Sequence, residues 1–599
     1  MVINSDYTLS GRAGTVRPVR LGEPMRPIVR RATVAAAVST TIAGLAVAAA
    51  TSAAAAPGRS GDAPRGGEPV DVQLLALNDL HGALEPPSGS GGQIRTGTNP
   101  DGTPVTVPAG GSAYLATQLA QLAAQQGEDN TVTVAAGDLI GASPLLSAAF
   151  HDEPTIEALG LAGLDYASVG NHEFDEGADE LLRIQDGGCH PVDGCADGTP
   201  YEGADFRYLS ANAFWTQTGE PLLDPYAVHE VDGVRIGFIG MTLEGTADIV
   251  TQQGIAGLDF ADEVETADRY AAELQAQGVE AIVVLLHEGG AQTGENAWDV
   301  DGCNGLTGPI VDIATGMSDA VDVVVSGHTH QAYNCRIDDK LVTSASSNGR
   351  LVTDIDLRVD GETGDVIGAT ADNTVVTRDL AADPAQTELI ARYRTALGPI
   401  ANEVVGQTTT DITRTADDTG ETPLGDLIAD AQLADTRDEQ AVAAFMNPGG
   451  VRADLGAGDV TYEEAFTVQP FANTLVTLDL TGAQLDCLLE QQYVVDRVLQ
   501  PSATVRYTVS PDAPAGTAAD PCSGQRVGDL AVEGTSVDPA AVYRITVNGF
   551  LADGGDGFTV LREGTNRVTT SIDLDAFVAH LGANSPVAPP ATDRITLAG

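Results

Sequence analysis

Positive charge is scarce in this sequence. Its 599 residues include 30 basic side chains, only one of them a lysine, against 85 acidic ones, so the formal net charge is −55. A surface this acidic repels nucleic acids and anionic membranes, so the composition predicts no nucleic-acid polymer as a partner. An anionic small substrate must therefore be held by local positive charge, for which bound metal ions are the obvious source.

Cysteine is also scarce, and its spacing is not that of a zinc site. The six cysteines are Cys189, Cys195, Cys303, Cys335, Cys487 and Cys522. No CxxC motif occurs among them, which argues against the alternative of zinc thiolate ligation. An even number in an exported chain indicates disulfides. The neighbour pairs 189–195, 303–335 and 487–522 are the simplest of the possible connectivities.

Long apolar runs are missing after the N-terminus. Three arginines between residues 26 and 31 precede an Ala-rich run over residues 32–50. This pattern predicts a secretory signal peptide over residues 1–56, cleaved near Ala55, with a membrane anchor as the alternative. Because no second long apolar run follows, we expect no stable membrane insertion after cleavage. The expected location is secreted, extracellular or in the cell envelope.

Beyond residue 70, short apolar runs alternate with helical stretches. The runs are continuous and rich in β-branched residues, as expected of strands buried on both faces. They are Val72–Leu77, Val132–Ala135, Tyr166–Val169, Ile236–Ile239, Ala281–Leu286 and Val321–Val325. Helical stretches such as Ala113–Gln126 and Glu263–Gln277 lie between them, which predicts an α/β layered domain.

Changes in this pattern predict two domains. The expected order is a linker over 57–69, a first domain over 70–375, an interdomain helical segment over 376–402 and a second domain over 403–599. Residues 86–110, rich in Gly, Pro and Thr, are predicted to form a surface loop. Pro384 is expected to begin the interdomain helix.

Five of the predicted strands end in aspartate, asparagine or histidine. The motifs are Asn78-Asp79-Leu80-His81-Gly82, Gly137-Asp138, Gly170-Asn171-His172-Glu173, His287-Glu288-Gly289 and Gly327-His328-Thr329-His330. Singly, the first, second and fourth are more typical of a turn or of a core histidine, whereas Gly-Asn-His-Glu and Gly-His-Thr-His are more specific. Jointly they hold five of the nine histidines. Ligands of open α/β sheets gather beyond the carboxyl ends of strands, so we expect these side chains at one edge.

The donors of these motifs are oxygen and imidazole, without thiolate, which suits Zn, Mn, Fe, Co or Ni. The set is too large for one tetrahedral shell, so it predicts two divalent metal ions. Two ions about 3.5–4 Å apart hold both the attacking and the leaving oxygen of an in-line displacement. The predicted ligands are Asp79, His81, Asp138, Asn171, His287, His328 and His330.

The order D-x-H, G-D, G-N-H-E, H and G-H-x-H resembles the binuclear metallophosphoesterases. Over residues 70–595 the chain is similar to their bacterial secreted branch, the 5′-nucleotidases and bifunctional UDP-sugar hydrolases. The resemblance implies an N-terminal four-layer αββα catalytic domain and a C-terminal α/β substrate-binding domain joined by a helix. It also implies phosphate release from nucleoside 5′-phosphates by in-line attack of water at two metals.

The resemblance also assigns residues to each metal. One metal would be bound by Asp79, His81, Asp138 and His330, and the other by Asn171, His287, His328 and the bridging Asp138. His172 and Asp175 match the catalytic dyad: His172 would stabilise charge on the phosphoryl group and Asp175 would orient His172. A helix N-cap is the structural alternative for Asp175.

In the second domain, composition alone indicates turns and core aromatics, whereas the resemblance implies substrate contacts. The residues concerned are Asn447 and Asp556 for base and ribose, Gly450 in a loop that approaches the ligand closely, Arg452 for phosphate, and Phe471 and Phe550 as a pair that sandwiches the base. One position departs from the family: relatives often carry an arginine where this chain has Gly420. Arg414, on a displaced loop, is a candidate substitute.

Three functions stay open. The first is a 5′-nucleotidase, acting also on UDP-sugars, ADP, ATP or NAD, and the aromatic pair favours it. The second is a 2′,3′-cyclic-nucleotide 2′-phosphodiesterase with 3′-nucleotidase activity. The third is a non-catalytic adhesion or nucleotide-binding protein of the cell surface. The sequence leaves the oligomeric state undetermined.

Overall fold

A computed structural model describes residues 67–87, 89–195, 197–252, 254–471 and 473–598. The predicted signal peptide, and the linker up to residue 66, lie outside the described residues. Among the helices that the structure describes, none has both the length and the apolar character needed to cross a bilayer.

The first part of the chain contains two six-stranded mixed sheets. In spatial order, the first sheet consists of Val366–Val375, Leu351–Val359, Val70–Leu77, Thr131–Ala136, Tyr166–Ser168 and Arg207–Leu209. The second consists of Ala332–Ile337, Lys340–Ala345, Val323–Ser326, Ala281–His287, Val234–Thr242 and Tyr226–Val231. The four strands from Val70–Leu77 to Arg207–Leu209 run parallel, as do the four from Lys340–Ala345 to Val234–Thr242. All six predicted strands are therefore present.

The two sheets pack face to face over a core of branched side chains. Leu74 and Val134 of the first sheet and Phe238 and Val283 of the second are fully buried in this core. Helices cover both outer faces: Ser112–Gln126, Glu153–Leu161 and Ala178–Asp186 on the first sheet, and Glu263–Ala276 and Pro309–Gly316 on the second. Shorter elements are the helices Leu145–Ala148 and Thr246–Ile249 and the paired strands Ala213–Trp215 and Leu258–Phe260. The expected four-layer αββα arrangement is confirmed.

The segment 86–110 is not the irregular loop that its composition predicts. It contains a hairpin of Gln93–Thr98 with Pro104–Pro108. The turn between them is closed by bonds from the Asn99 amide to the Thr103 carbonyl and from the Gly102 amide to the Asn99 carbonyl. Gly102 has a φ of 88° there. The loop prediction was wrong because this Gly-Pro content belongs to the turn and flanks of a hairpin.

The helix Pro384–Ala401 joins the two parts of the chain, and it is firmly packed. Asp383 caps its first turn by accepting a hydrogen bond from the Gln386 amide. Its Leu389, Tyr393 and Leu397 are buried in a core shared with side chains of both parts. On the exposed side, the Arg394 guanidinium pairs with Glu85 and Glu463, one from each part. The helix therefore fixes the two parts against each other.

The second part of the chain is built on a five-stranded and a four-stranded sheet. The first contains Gln500–Pro501, Ala443–Met446, Val542–Asn548, Thr474–Thr481 and Thr565–Ile572; the second contains Thr535–Ser536, Val527–Val532, Val505–Val509 and Ile595–Leu597. A separate pair joins Val404–Thr408 to Gly458–Thr461. The helices are Pro423–Asp435, Tyr462–Val468, Gly482–Gln491, Gly549–Ala552 and Asp573–Asn584. Thr461 and Thr481 begin their helices with capping boxes, in which side chains satisfy free backbone amides.

The three neighbour disulfides are confirmed. Cys189 pairs with Cys195, Cys303 with Cys335 and Cys487 with Cys522, with Cα–Cα distances of 4.6, 5.1 and 4.6 Å. These distances lie within the range that a disulfide spans. Each bridge closes a short segment of chain, so each stabilises the fold locally.

The core between the sheets leads to a prediction about stability. Phe238 is fully buried there, and its ring lies 5.2 Å from that of Tyr166. We expect Phe238→Ala to lower the free energy of unfolding by about 3–5 kcal/mol, because it leaves a cavity between two rigid layers. Val228→Ala, at an exposed position of the edge strand, is the control and should change it by less than about 0.5 kcal/mol. Urea titration measures both, and equal shifts would contradict this account of the core.

Candidate functional site

All seven predicted metal ligands lie in one cluster where the edges of the two sheets meet. Asp79, His81, Asp138 and Asn171 follow parallel strands of the first sheet, whereas His287, His328 and His330 end or follow strands of the second. Parallel strands place their carboxyl ends at the same edge, so sheet topology alone brings these distant residues together. Two compact groups of donor atoms result, Asp79 with His81 and His330, and Asp138 with His287 and His328, and a third group joins His81 and Asp138 to the neighbouring His172.

The distances between donor atoms divide the cluster into two overlapping halves. In one half, the Nε2 of His330 lies 2.9 Å from that of His81 and 3.4 Å from the Asp79 carboxylate. In the other, the amide oxygen of Asn171 lies 3.2 Å from the Nε2 of His287 and 3.0 Å from the Nδ1 of His328. The Asp138 carboxylate is shared: the same oxygen is 3.7 Å from His81 and 3.0 Å from His287.

Hydrogen bonds to backbone carbonyls fix the ring orientation of two histidines. The Nδ1 of His81 lies 2.9 Å from the Gly141 carbonyl, and that of His287 lies 2.8 Å from the Ala136 carbonyl. A carbonyl only accepts, so each Nδ1 carries a proton, and each ring in its neutral form directs the lone pair of Nε2 into the cluster. Metal-binding histidines are held in this way by outer partners, so the donor set fits divalent ions.

The protonation states follow from burial and neighbouring charge. Burial lowers the pKa of His81 to about 3 and that of His328 to about 4. Burial opposes ionisation of Asp138, but the neighbouring histidines hold its pKa well below the usual value. His287 is also buried, yet Asp138 raises its pKa to about 10. His287 must therefore lose a proton to bind an ion, so metal binding is coupled to proton release.

Backbone conformation is unusual at the cluster. Five of the seven predicted ligands have left-handed φ angles between 48° and 68°: Asp79, His81, Asp138, His328 and His330. Each such residue costs on the order of 1 kcal/mol, and such strain persists where the surrounding structure imposes it. The fold therefore holds these donors in place at a cost in stability.

Two buried residues position the ligands. The Asn78 amide donates to the Asp79 carboxylate at 2.6 Å and to the Ser346 carbonyl at 2.7 Å. The Glu173 carboxylate accepts hydrogen bonds from the backbone amides of Asp138, Leu139 and Gly170, with N–O distances of 2.5–2.9 Å. Both residues are part of the sequence motifs, but their roles depend on backbone atoms that come close only in the folded chain.

His172 and Asp175 form a hydrogen-bonded pair beside the cluster. The Nδ1 of His172 lies 2.7 Å from the Asp175 carboxylate. Burial disfavours the charged ring, but Asp175 and Asp138 raise the pKa of His172 to about 9, so the ring is cationic at neutral pH. The helix N-cap alternative for Asp175 is wrong, because the next helix, Ala178–Asp186, begins after Gly177.

A cavity of about 340 Å³ separates the cluster from the second part of the chain. From the first part it is lined by Asp138, Asn171, His172, Asp175, His328 and His330, and from the second part by Asn447, Gly450, Arg452, Phe471, Phe550 and Asp556. All six predicted substrate-binding residues therefore line one space with the predicted dyad. Asp79, His81 and His287 lie behind this lining and are buried.

Contacts across this cavity connect the two parts. The ring of Phe471 stacks on that of His172, with centroids 5.8 Å apart and planes 16° apart, and the Arg452 guanidinium lies 5.6 Å from the Phe471 centroid. The Asn447 amide donates to the Asp556 carboxylate at 2.9 Å. Asp556 has a φ of 55°, on the one-turn helix Gly555–Gly557. Both polar side chains are thus held in place at the wall of the cavity.

Gly420 leaves no room for the arginine that relatives often carry at that position. A Cβ there would lie 2.7 Å from the side chain of Val498, and the φ of Gly420 is 90°. Arg414 instead lies beside Arg452: it donates to the Val451 carbonyl at 3.3 Å, and burial together with its charge lowers the pKa of Arg452. Two neighbouring guanidinium groups repel each other unless an anion lies between them.

Sequence motifs do not indicate two other residues of the cavity lining. Arg497 points its Nε at the Asp556 carboxylate, 3.4 Å away, and Asn473 follows Phe471 in the wall. Arg497 belongs to a segment with no periodic or motif pattern, between the helix Gly482–Gln491 and the strand Gln500–Pro501. No local signal in the sequence sets Arg497 apart from the other arginines of the chain.

Comparison with known proteins agrees with this geometry. Residues 72–332 match the family model for calcineurin-like phosphoesterases, and residues 404–563 match the model for the 5′-nucleotidase C-terminal domain. The chain is 34% identical to endonuclease YhcR of Bacillus subtilis, with 89% of this chain and 41% of that protein covered. It is 32% identical to cell wall protein Lmo0130 of Listeria monocytogenes, with 86% and 67% covered.

Among solved structures, the chain is similar to a 5′-nucleotidase precursor from Thermus thermophilus. The TM-score is 0.67 at 26% identity, and 88% of this chain and 99% of that chain are covered. The chain spans less than half the length of the Bacillus subtilis relative, which is therefore a considerably longer protein.

The ligand geometry predicts the effect of removing one donor. Asn171→Ala removes the oxygen that lies within 3.2 Å of two histidines, so one half of the cluster loses a ligand. After dialysis against metal-free buffer, we expect elemental analysis to find about one divalent ion fewer per chain. His229→Ala, a histidine outside the cluster that contacts Tyr166, is the control and should retain the full metal content. Unchanged metal content in Asn171→Ala would argue against its role as a ligand.

Proposed function

Because this chain belongs to the 5′-nucleotidase family of calcineurin-like metallophosphoesterases, we propose that it releases phosphate from nucleoside 5′-phosphates. One observation carries the proposal: a single cavity is lined both by metal-type donors with cationic side chains suited to phosphate and by two phenylalanines with polar partners. A nucleoside monophosphate has the same two-part character. At about 340 Å³ the cavity has the size of a small-molecule site.

Two divalent ions bound by the seven donors would supply Lewis acidity and an activated water for in-line displacement at phosphorus. His172 adds a fixed positive charge. Its Nδ1 is held by Asp175, so its Nε2–H is the donor available to the oxygens of the phosphoryl group. A preorganised donor of this kind stabilises the negative charge that develops on those oxygens, and it does so without reorientation.

Arg452 and Arg414 are the proposed phosphate clamp. Arg452 lines the cavity, and Arg414 is close enough to lower its pKa. A phosphate placed between them would relieve this repulsion and accept hydrogen bonds from planar donors. In a chain with a net charge of −55, such local positive charge is what attracts an anionic substrate.

Phe471 and Phe550 are the proposed base-binding residues, with Asn447 and Asp556 as contacts to base and ribose. Stacking on aromatic rings is worth about 1–3 kcal/mol per base and tolerates different bases, because every base has a π-face. Asp556 is oriented by the Asn447 amide and faces Arg497, so its carboxylate is fixed for a hydroxyl donor. UDP-sugars, ADP, ATP and NAD share the nucleoside that these residues would hold.

We further propose that the protein works outside the cytoplasm, in the medium or the cell envelope. The segment over residues 26–56 has the pattern of a signal peptide. Three disulfides are typical of an oxidising compartment. One relative is named a cell wall protein.

A substrate panel tests this function. We expect kcat/KM for AMP to exceed that for 3′-AMP and for 2′,3′-cyclic AMP by at least about tenfold, since the base and phosphate sites lie at fixed ends of one cavity. Faster hydrolysis of the cyclic ester or of 3′-AMP would favour the phosphodiesterase alternative. Binding of AMP without turnover in the metal-loaded protein would favour a non-catalytic nucleotide-binding protein.

Removal of one stacking ring should weaken the binding of nucleotides selectively. We expect Phe550→Ala to raise KM for AMP about 5- to 150-fold with a small change in kcat, because about 1–3 kcal/mol of stacking is lost far from the phosphate. Ribose 5-phosphate, which has no base, is the control substrate and should be hydrolysed equally by both proteins. If the substitution affected both substrates alike, Phe550 would have a structural role instead.

A further inference from the structure

A second cluster of metal-type donors lies outside the cavity. It consists of His151, Glu176, Glu180 and His190, and its four donor atoms all lie within 4.8 Å of one another. The mechanism proposed above uses none of these residues. Two of the four histidines that lie outside the cavity cluster are thus brought together here, although 39 positions separate them in the chain.

The four residues come from three separate segments of the chain. His151 lies between the helices Leu145–Ala148 and Glu153–Leu161, and Glu176 lies just before the helix Ala178–Asp186, on which Glu180 sits in the first turn. His190 lies in the small loop closed by the Cys189–Cys195 disulfide. One ion shared by these donors would tie the three segments together.

Contacts within this cluster are as close as those among the proposed catalytic ligands. The Nδ1 of His151 lies 2.7 Å from the Glu176 carboxylate, and its Nε2 lies 3.2 Å from that of Asp193. The Nε2 of His190 lies 4.0 Å from the Glu180 carboxylate. The corresponding nitrogen–carboxylate separations among the predicted catalytic ligands range from 3.0 to 3.9 Å. In both places, imidazole nitrogen and carboxylate oxygen converge at ligand spacing.

The surroundings match what a protein supplies to a bound ion. The side chain of His151 is only 4% exposed, and those of Glu180 and His190 are 11% and 14% exposed. Arg183 holds the Glu180 carboxylate through its Nε and Nη2 and donates through Nη1 to Glu153 and to the Gly188 carbonyl. A carboxylate has about four acceptor positions, so Glu180 keeps some free for a metal while Arg183 orients it.

The histidine pair imposes one geometric requirement. The rings of His151 and His190 are stacked, with centroids 3.8 Å apart and planes 16° apart. Coordination of one ion by both rings requires the two ring planes to rotate apart. The backbone amide of Asp193 donates to the Nδ1 of His190 at 3.1 Å, so the neutral ring carries its proton on Nε2, which faces Glu180. Binding of an ion through Nε2 therefore requires this hydrogen bond to break as the ring turns.

We propose that His151, Glu176, Glu180 and His190 bind a third divalent ion, of the zinc type, which is structural. Two imidazoles and two carboxylates are a four-ligand set that suits zinc, and a site without an open position has no catalytic role. The ion would fix the disulfide loop and the segment after Asp175 to the helix Ala178–Asp186. Because Glu176 directly follows Asp175, the ion would also stabilise the position of the dyad.

Zinc content provides the test. The secreted chain, with its disulfides intact, is stripped with chelator, reloaded with Zn²⁺ and dialysed before elemental analysis. We expect His190→Asn and Glu176→Gln each to contain about one zinc ion fewer per chain than the unaltered protein. His229→Asn, which lies in neither cluster, is the matched control and should contain as much zinc as the unaltered protein.

A second set of variants distinguishes the proposed third ion from the ions of the cavity cluster. In a chain that carries Asn171→Ala, addition of His190→Asn should remove a further zinc ion and reduce the zinc-dependent rise in Tm that Asn171→Ala alone retains. Unchanged zinc content in both His190→Asn and Glu176→Gln would overturn the proposal and would leave only ion pairs between histidines and carboxylates. If His190→Asn fails to fold, Glu176→Gln decides, since Glu176 is 46% exposed. Because zinc is counted, the result does not depend on the proposed nucleotidase activity.

Discussion

The burial of two carboxylates among histidines, at the edge where two sheets meet, is the constraint on which this structure depends. Asp79 and Asp138 are almost fully inaccessible to solvent, and burial alone would keep both protonated. The surrounding imidazoles hold them in the ionised form instead, and divalent ions would do so more strongly. The strained backbone at five ligands, the buried Glu173 beneath them and the packing of two sheets all maintain this one arrangement.

The second part of the chain completes the site from across the cavity. The residues that it places in the cavity wall lie on short turns and loops. They include Asn447 before Pro448–Gly450, Phe471 after the helix Tyr462–Val468, and Asp556 on Gly555–Gly557. Loops adapt to a ligand more readily than sheet edges do, so the rigid sandwich is suited to chemistry and the second part to recognition. The packed helix Pro384–Ala401 holds the first and second parts of the chain in a fixed relative position, because its buried residues contact both parts.

Charge is distributed to suit an anionic substrate despite the acidic surface. Three arginines, Arg414, Arg452 and Arg497, lie at or beside the cavity, and His172 adds a cationic ring. The lone lysine, Lys340, is buried far from this function in a strand of the second sheet. Positive charge is therefore concentrated where a phosphate would bind, and the rest of the surface keeps the protein soluble.

The sequence alone determined the α/β layers and the set of polar residues that follow buried strands, because hydrophobic periodicity and strand-end motifs are local. It favoured the three neighbour disulfides only as the simplest connectivity, and the structure decided that they form. It could not determine that Gln93–Pro108 forms a hairpin, since turn and strand signals there are weak against a Gly-rich background. Only the tertiary structure decided that Arg414 takes the place beside Arg452, that Asn78 and Glu173 hold the ligands, and that His151 meets His190. Each of these depends on residues far apart in the chain, and such contacts are fixed by how the layers pack.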